Sequence, residues 1–217
     1  MKRILIIGAG GHSNVIEDTL VELGLFNEIA FLDDKFNNSS GILSSENRKI
    51  LGTSQLIYNE KLRSNFKYAF VAIADPEIRL RLINELENLE YKIPIIVHPT
   101  AWVSKSVSIG IGSVILSQST IQAGVKGGKG LIINNLCSID HDSFLGNGVH
   151  IAPGVNIAGS VHIGDKSWIG IGSSVIENIN IGSNVKIGAN AAVIRDIPNS
   201  VTAFGVPAKI KHNYMKE

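Results

Sequence analysis

Residues 149–169 read VHIAPGVNIAGSVHIGDKSWI, with Ile151, Ile157, Ile163 and Ile169 six residues apart. Continued in both directions, the step of six runs from Val103 to Val193. Each of its positions is Val, Ile or Leu except Gly127, which reads as a local bulge without functional meaning. A second series lies four places after each of these: Val149, Val155, Val161 and Ser167 here, and Ser113, Ser119, Cys137, Ser143 and Ser173 elsewhere. Sandwiches alternate with a period of two and vary in strand length. A period of six held over some ninety residues instead predicts short parallel strands stacked coil upon coil, three hexads to a triangular coil of 18 residues, with coils ~4.8 Å apart.

Composition agrees. The 217 residues are 44% hydrophobic but only 6% aromatic, and include 22 glycines, so the core is filled by small and β-branched side chains. Charged residues make up 18%, and 20 Lys plus Arg balance 19 Asp plus Glu. No basic run favours nucleic acid or an anionic membrane surface. No apolar stretch approaches the ~20 residues of a membrane span. The opening Met1-Lys2-Arg3 and Ile4 to Ile7 imitate an export signal, but Gly8, His12, Glu17 and Asp18 follow, which predicts a first strand of a soluble protein. The single cysteine, Cys137, excludes an intrachain disulfide and fits a reducing cytoplasm.

Residues 1–99 follow another pattern. Strands are expected at Lys2 to Ile7, Ile29 to Leu32, Tyr68 to Ala74 and Ile93 to Val97, with helices at Ser13 to Leu23 and Pro76 to Leu89 and a loop over residues 35–50. This alternation predicts a small parallel sheet with helices on its faces. It joins the coil domain, residues 100–217, near His98-Pro99-Thr100.

Two places could carry chemistry. Gly8-Ala9-Gly10-Gly11-His12 leads from the first strand into a helix, where free N–H groups and the helix dipole favour an anion. Ser13 breaks the full dinucleotide fingerprint, and there is only one mononucleotide-binding half, so a nucleotide-linked substrate fits better than NAD. Asp33 and Asp34 end the second strand, where an acidic residue meets a ribose or base. The competing explanation is that the glycines merely allow a tight turn.

The second place is His141, in Ile139-Asp-His-Asp-Ser143, outside both inward series and flanked by carboxylates. A histidine so placed suits a general base near neutral pH; the alternative is a surface histidine beside solvated aspartates. Gly159, 18 residues on, should stack over His141 and offer a backbone N–H to an oxyanion. His150 is half a coil away, so the two histidines share a site only across a subunit interface, which suggests a cyclic trimer. The intervals between His141, His150 and His162 leave no close histidine pair for a metal.

Ile4 to His12 (ILIIGAGGH), Phe31 to Asp34, Ala72 to Arg79 (AIADPEIR), Ile139 to Asp142, Val149 to Gly154 (VHIAPG) and Gly205 to Lys209 (GVPAK) together resemble the sugar O/N-acetyltransferases of sialic acid and bacillosamine synthesis, and the similar perosamine N-acetyltransferases. The resemblance implies an α/β, Rossmann-like half domain followed by a left-handed parallel β-helix, a homotrimer, and acetyl-CoA as co-substrate without metal. It implies transfer to the amino group of a nucleotide-linked amino sugar, with a sialic acid O-acetyltransferase or a non-enzymatic trimeric accessory protein as alternatives. It further implies His141 as general base, Asp142 as the carboxylate raising its basicity, and His150, Gly159, Ile171 and Ala189 as acetyl-CoA contacts. Gly10, Gly11, His12, Asp33, Asp34 and Ala74 would hold the nucleotide sugar; the family often has glycine at the position of Ala74.

Overall fold

The structure, a computed structural model, describes residues 2–35 and 48–211. The chain divides into two compact units, Met1–Ile96 and Val97–Glu217.

In the first unit, strands β1 (Arg3–Ile7), β2 (Glu28–Leu32), β3 (Ile50–Gly52) and β4 (Tyr68–Val71) form one parallel sheet in the order β3-β2-β1-β4. Helix α1 (Gly11–Leu23) buries Ser13, Ile16 and Leu20 and ends at Gly24, whose left-handed backbone (φ 60°) returns its N–H to the Leu20 and Val21 carbonyls. After a 3-10 turn at Ser54–Tyr58 and a short helix α2 (Glu60–Asn65), helix α3 (Pro76–Asn88) starts where the Asp75 side chain accepts the Glu77 and Ile78 N–H groups. Proline at the first turn fits, since its missing N–H has no partner there.

Two sequence expectations need correction. The fourth strand of this sheet is not Ile93 to Val97: only Ile96–Val97 is extended, and it lies outside the sheet. Pro94 lacks the N–H that a ladder requires. The fourth strand is β3, which starts at the end of the segment expected to be loop; most of that segment, residues 36–47, lies outside the described residues.

The second unit is a left-handed parallel β-helix with three faces. The first face carries Ser108–Ile109, Lys126–Gly127, Phe144–Leu145, His162–Ile163 and Asn180–Ile181. On the second are Val114–Ile115, Ile132–Ile133, His150–Ile151, Trp168–Ile169, Lys186–Ile187, Thr202–Phe204 and Lys209–Lys211. The third runs through Trp102–Val103, Thr120–Ile121, Ser138–Ile139, Asn156–Ile157, Ser174–Val175 and Ala192–Val193. Within the coils, strands pair in parallel with partners 18 residues away, and Ile133, Ile139, Leu145, Ile151 and Ile163 are fully buried.

The second inward series contains five buried serines, Ser113, Ser119, Ser143, Ser167 and Ser173. Each hydroxyl accepts the N–H of the residue 18 places on and donates to the carbonyl 15 places on, as Ser167 does with Val185 (3.0 Å) and Gly182 (2.7 Å). They are cross-links between coils, which is why polar residues recur in a core position. Gly127 makes no bulge: Lys126–Gly127 stays in register with both neighbouring strands. Leu131 fills the missing side chain's volume, its Cδ1 lying 2.6 Å from where a Cβ would stand.

Candidate active site

His141 occupies the corner between Ser138–Ile139 on the third face and Phe144–Leu145 on the first. The corner chain reverses through Asp142, whose φ is +58°; its counterparts on other coils, Gly124, Ser160 and Asn178, share that conformation. The turn is clamped from both sides. Asp142 N–H donates to Ala123 O below (3.0 Å), and Ser160 N–H above donates to His141 O (2.8 Å).

On this rigid corner the imidazole Nδ1 lies 2.9 Å from Asp142 Oδ2, and the His141 N–H donates to Asp140 Oδ1 (2.8 Å). A carboxylate only accepts, so Nδ1 holds the proton and Nε2 presents its lone pair. The hydrogen bond to Asp142 raises the His141 pKa above the ordinary imidazole value; burial opposes it, and the charges of Asp140 and Asp142 add to the rise. Nε2 points at Gly159. A Cβ there would stand 2.6 Å from Nε2 and 2.7 Å from Cε1, so only glycine admits the ring. Among the described residues the Gly159 N–H donates to no acceptor. The basic nitrogen therefore lies against a residue whose N–H has no acceptor among the described residues.

The other expected coil residues lie elsewhere on the prism. His150 stands on the second face, stacked on Trp168 with ring centroids 5.7 Å apart. Ile171 and Ala189 are on the corner between the second and third faces, on successive coils, where Asn190 N–H donates to Ile171 O (2.8 Å). His162 is on the first face, stacked on Phe144 at 4.6 Å. A single chain thus unites His141, Asp142 and Gly159 but not His150.

In the first unit, β2 flanks β1 on one side and β4 on the other, so the connections after β1 and β4 diverge. The carboxyl ends of these strands frame the crevice where open α/β sheets bind ligands. Gly8 (φ +102°) passes so close to Ala72 O that a Cβ would stand 3.0 Å from it. Gly10 and Gly11 differ: Gly10 has φ −86°, and a Cβ on either would meet nothing within 4 Å. Neither backbone strain nor packing explains them, which leaves close approach of a ligand to the start of α1.

Asp33 and Asp34 brace the surrounding loops. Asp33 accepts the N–H groups of Ala9 (2.7 Å) and Lys35 (2.8 Å), and Asp34 accepts that of Ser54 (2.8 Å). The Ala74 carbonyl accepts a hydrogen bond from Arg79 Nη1 (2.6 Å), as does Ile73 O (2.9 Å).

Arg79 is the functional-looking residue that sequence reasoning passed over. It is only 1% exposed, and burial lowers its pKa to about 10 although Asp75 pulls it upward. Its signal was present: Arg79, Leu82, Ile83 and Leu86 form the i, i+3, i+4, i+7 stripe of α3, so a cation occupies a core position. His12 feels that charge. Burial first, then Arg79, pushes its pKa down to about 4, and its buried Nε2 has no hydrogen-bond partner among the described residues. A neutral histidine and a buried arginine thus belong to the turns at the crevice.

Residues 3–86 match the family described as PglD N-terminal domain, and residues 160–195 match the bacterial transferase hexapeptide family (six repeats). Fold and site thus define a hexapeptide-repeat transferase with a PglD-type amino-terminal domain. The acetyltransferase domain of PglB from Neisseria gonorrhoeae is 36% identical, with a TM-score of 0.90 over 97% of this chain and 100% of that one. The chain belongs to the NeuD/PglD-type family of sugar acetyltransferases. PerB from Caulobacter crescentus, solved with CoA and GDP-perosamine, is 33% identical, with a TM-score of 0.88 over 97% of this chain and 98% of that one. The UDP-N-acetylbacillosamine N-acetyltransferase of Bacillus subtilis is 33% identical over 117 residues, 54% of this chain; the match spans about half (52%) of that enzyme's length.

Proposed function

We propose that the protein transfers the acetyl group of acetyl-CoA to the amino group of a nucleotide-linked amino sugar, working as a homotrimer in which the neighbour supplies His150, Ile171 and Ala189 as acetyl-CoA contacts. One observation carries this reading: His141, fixed by Asp142, sets Nε2 against Gly159, where only glycine admits the ring. The PglB domain has been solved with acetyl coenzyme A and PerB with GDP-perosamine, which supports this choice of substrates.

The sugar nitrogen attacks the thioester carbonyl carbon while His141 Nε2 accepts its proton. The carbonyl electron pair moves to oxygen, where the Gly159 N–H stabilises the charge. Collapse of the tetrahedral species breaks the C–S bond, and the proton held on Nε2 passes to the departing sulfur, leaving an amide and free CoA. Among the described residues no serine or cysteine side chain is hydrogen-bonded to the His141 imidazole, which favours direct transfer over an acetyl-enzyme. The first unit binds the nucleotide sugar through the Gly10-Gly11-His12 turn, with Asp33, Asp34 and Ala74 shaping the crevice.

The test is a panel of UDP-, GDP- and CMP-linked amino sugars, with free sialic acid as the hydroxyl control, assayed with acetyl-CoA. An amino sugar should be acetylated, and His141→Ala should slow turnover ~10²–10⁴-fold with the assembly intact. Transfer to sialic acid alone, or wild-type turnover in a folded His141→Ala protein, would overturn the assignment.

A further inference from the structure

The turn between β4 and α3 hangs from one side chain. The ladder between β1 and β4 ends where Ala72 N–H donates to Ile7 O (2.8 Å). Beyond it, the carbonyls of Ile73 and Ala74 accept hydrogen bonds from Arg79 Nη1, at 2.9 Å and 2.6 Å, and the two residues make no other among the described residues. Gly8 packs against the same stretch: a Cβ there would stand 3.0 Å from Ala72 O and 3.1 Å from Ile73 Cγ1. A peptide unit is planar and trans, so a carbonyl turned one way sends the next residue's N–H the other way. With both carbonyls turned to a buried guanidinium, the N–H groups of Ala74 and Asp75 face away from it. Both residues are exposed, and neither N–H has an acceptor among the described residues. Stability alone does not call for this cation. Arg79 is the fourth residue of α3, near the helix end whose dipole favours anions, and the rest of its stripe, Leu82, Ile83 and Leu86, is apolar.

We propose that Arg79 is a positioning residue for the nucleotide sugar: it fixes two successive peptide planes of the β4–α3 turn, so that the amides of Ala74 and Asp75 stand ready as donors at the crevice. The proposal rests on the nucleotide-sugar reading above and assigns a residue that this reading leaves without a role. Two amides set in advance suit the acceptor oxygens of a nucleotide, because no turn has to be ordered when the ligand arrives. Being buried, Arg79 acts through the backbone and not by contact. Its charge also reaches His12 at the start of α1. With burial the larger cause, it keeps that imidazole neutral near pH 7, leaving one ring nitrogen as an acceptor. The turn after β1 and the turn after β4 thus both depend on one guanidinium.

Calorimetry on the full chain with UDP, GDP and CMP tests this, with acetyl-CoA as the control ligand. Wild type should bind at least one of the three nucleotides. Arg79→Met, which puts an apolar side chain in the core position, should weaken that nucleotide about tenfold or more and leave acetyl-CoA unchanged. Arg79→Lys keeps the charge but ends about one bond short, holds one carbonyl at best, and should lose about threefold. In acetyl transfer the losses should appear in KM for the nucleotide sugar and not in kcat, a split that general loosening of the unit would not give. Amide exchange read by mass spectrometry is the direct check: saturating nucleotide should protect residues 72–75 in wild type. Melting temperatures show whether the variants fold, and if Arg79→Met does not, Arg79→Lys carries the same test. Wild-type nucleotide affinity in either folded variant, or no protection of residues 72–75, overturns the role of Arg79 alone. A wild-type protein that binds none of the three nucleotides overturns the nucleotide-sugar reading and this role with it.

Discussion

His12 in the amino-terminal unit and His141 in the coil unit start from the same ordinary imidazole pKa of 6.5 and move in opposite directions. His12 is sunk at the start of α1 near the buried Arg79, so its charged form is disfavoured twice, by lost hydration and by a like charge. His141 stands 59% exposed on a corner, loses little hydration and gains a hydrogen-bonded carboxylate. Burial decides the first and a partner the second. The difference suits the proposed roles: near pH 7 His12 is neutral, while His141 holds a proton more readily than a free imidazole.

The harshest way to break the comparison is at Gly159. A methyl group there collides with the His141 ring, so Gly159→Ala should displace the base from its amide and lower kcat ~10²–10³-fold, as measured in the acetyl-transfer assay. Wild-type kcat would show that the ring does not work where it stands.

The next effect lies in stability. Because the folded pKa of His12 is depressed to about 4, the unfolded chain binds a proton that the folded chain refuses between pH 6.5 and 4. That contribution is complete above the unfolded pKa and is lost on acidification, by on the order of 3 kcal/mol. In denaturant titrations, His12→Asn should remove that part of the acid sensitivity; equal pH slopes in both proteins would contradict the burial argument.

His141 offers a milder test. Its neutral form is the active one, and its pKa is raised, so activity should fall as pH drops through a value above 6.5. Asp142→Asn removes the largest cause of that rise. The acid limb should move to lower pH while the plateau drops ~10-fold through loss of basicity and tautomer control. An unmoved limb in the pH–rate profile would exclude His141 as the titrating base.

The smallest effect tests the coil architecture that holds this corner. Ser167→Ala leaves the Val185 N–H and Gly182 carbonyl without their shared partner and should cost about 1–3 kcal/mol in chemical denaturation.

The two units also differ in how far their sequences reveal them. In the coils, contacts fall at a fixed separation of 18, so the pattern along the chain is the pattern in space, and His141 could be paired with Gly159 by counting. The Gly127 gap was visible, but that Leu131 fills it depends on side-chain direction. In the α/β unit, neighbours come from distant segments. β3 is only three residues long, beside a stretch rich in Asn and Ser, and carries little periodic signal. The approach of Arg79 to His12 follows from the adjacency of β1 and β4, which no local spacing encodes.

The interval from His141 to Gly159 is one circuit of the prism, and that turns the coil into a gauge. A single codon gained or lost between them, unless expelled as a bulge at a corner, would slide the amide off the ring and turn inward residues outward at once. Length change in this stretch is therefore confined to whole circuits or outward loops, whereas substitutions on the outer faces leave the register untouched.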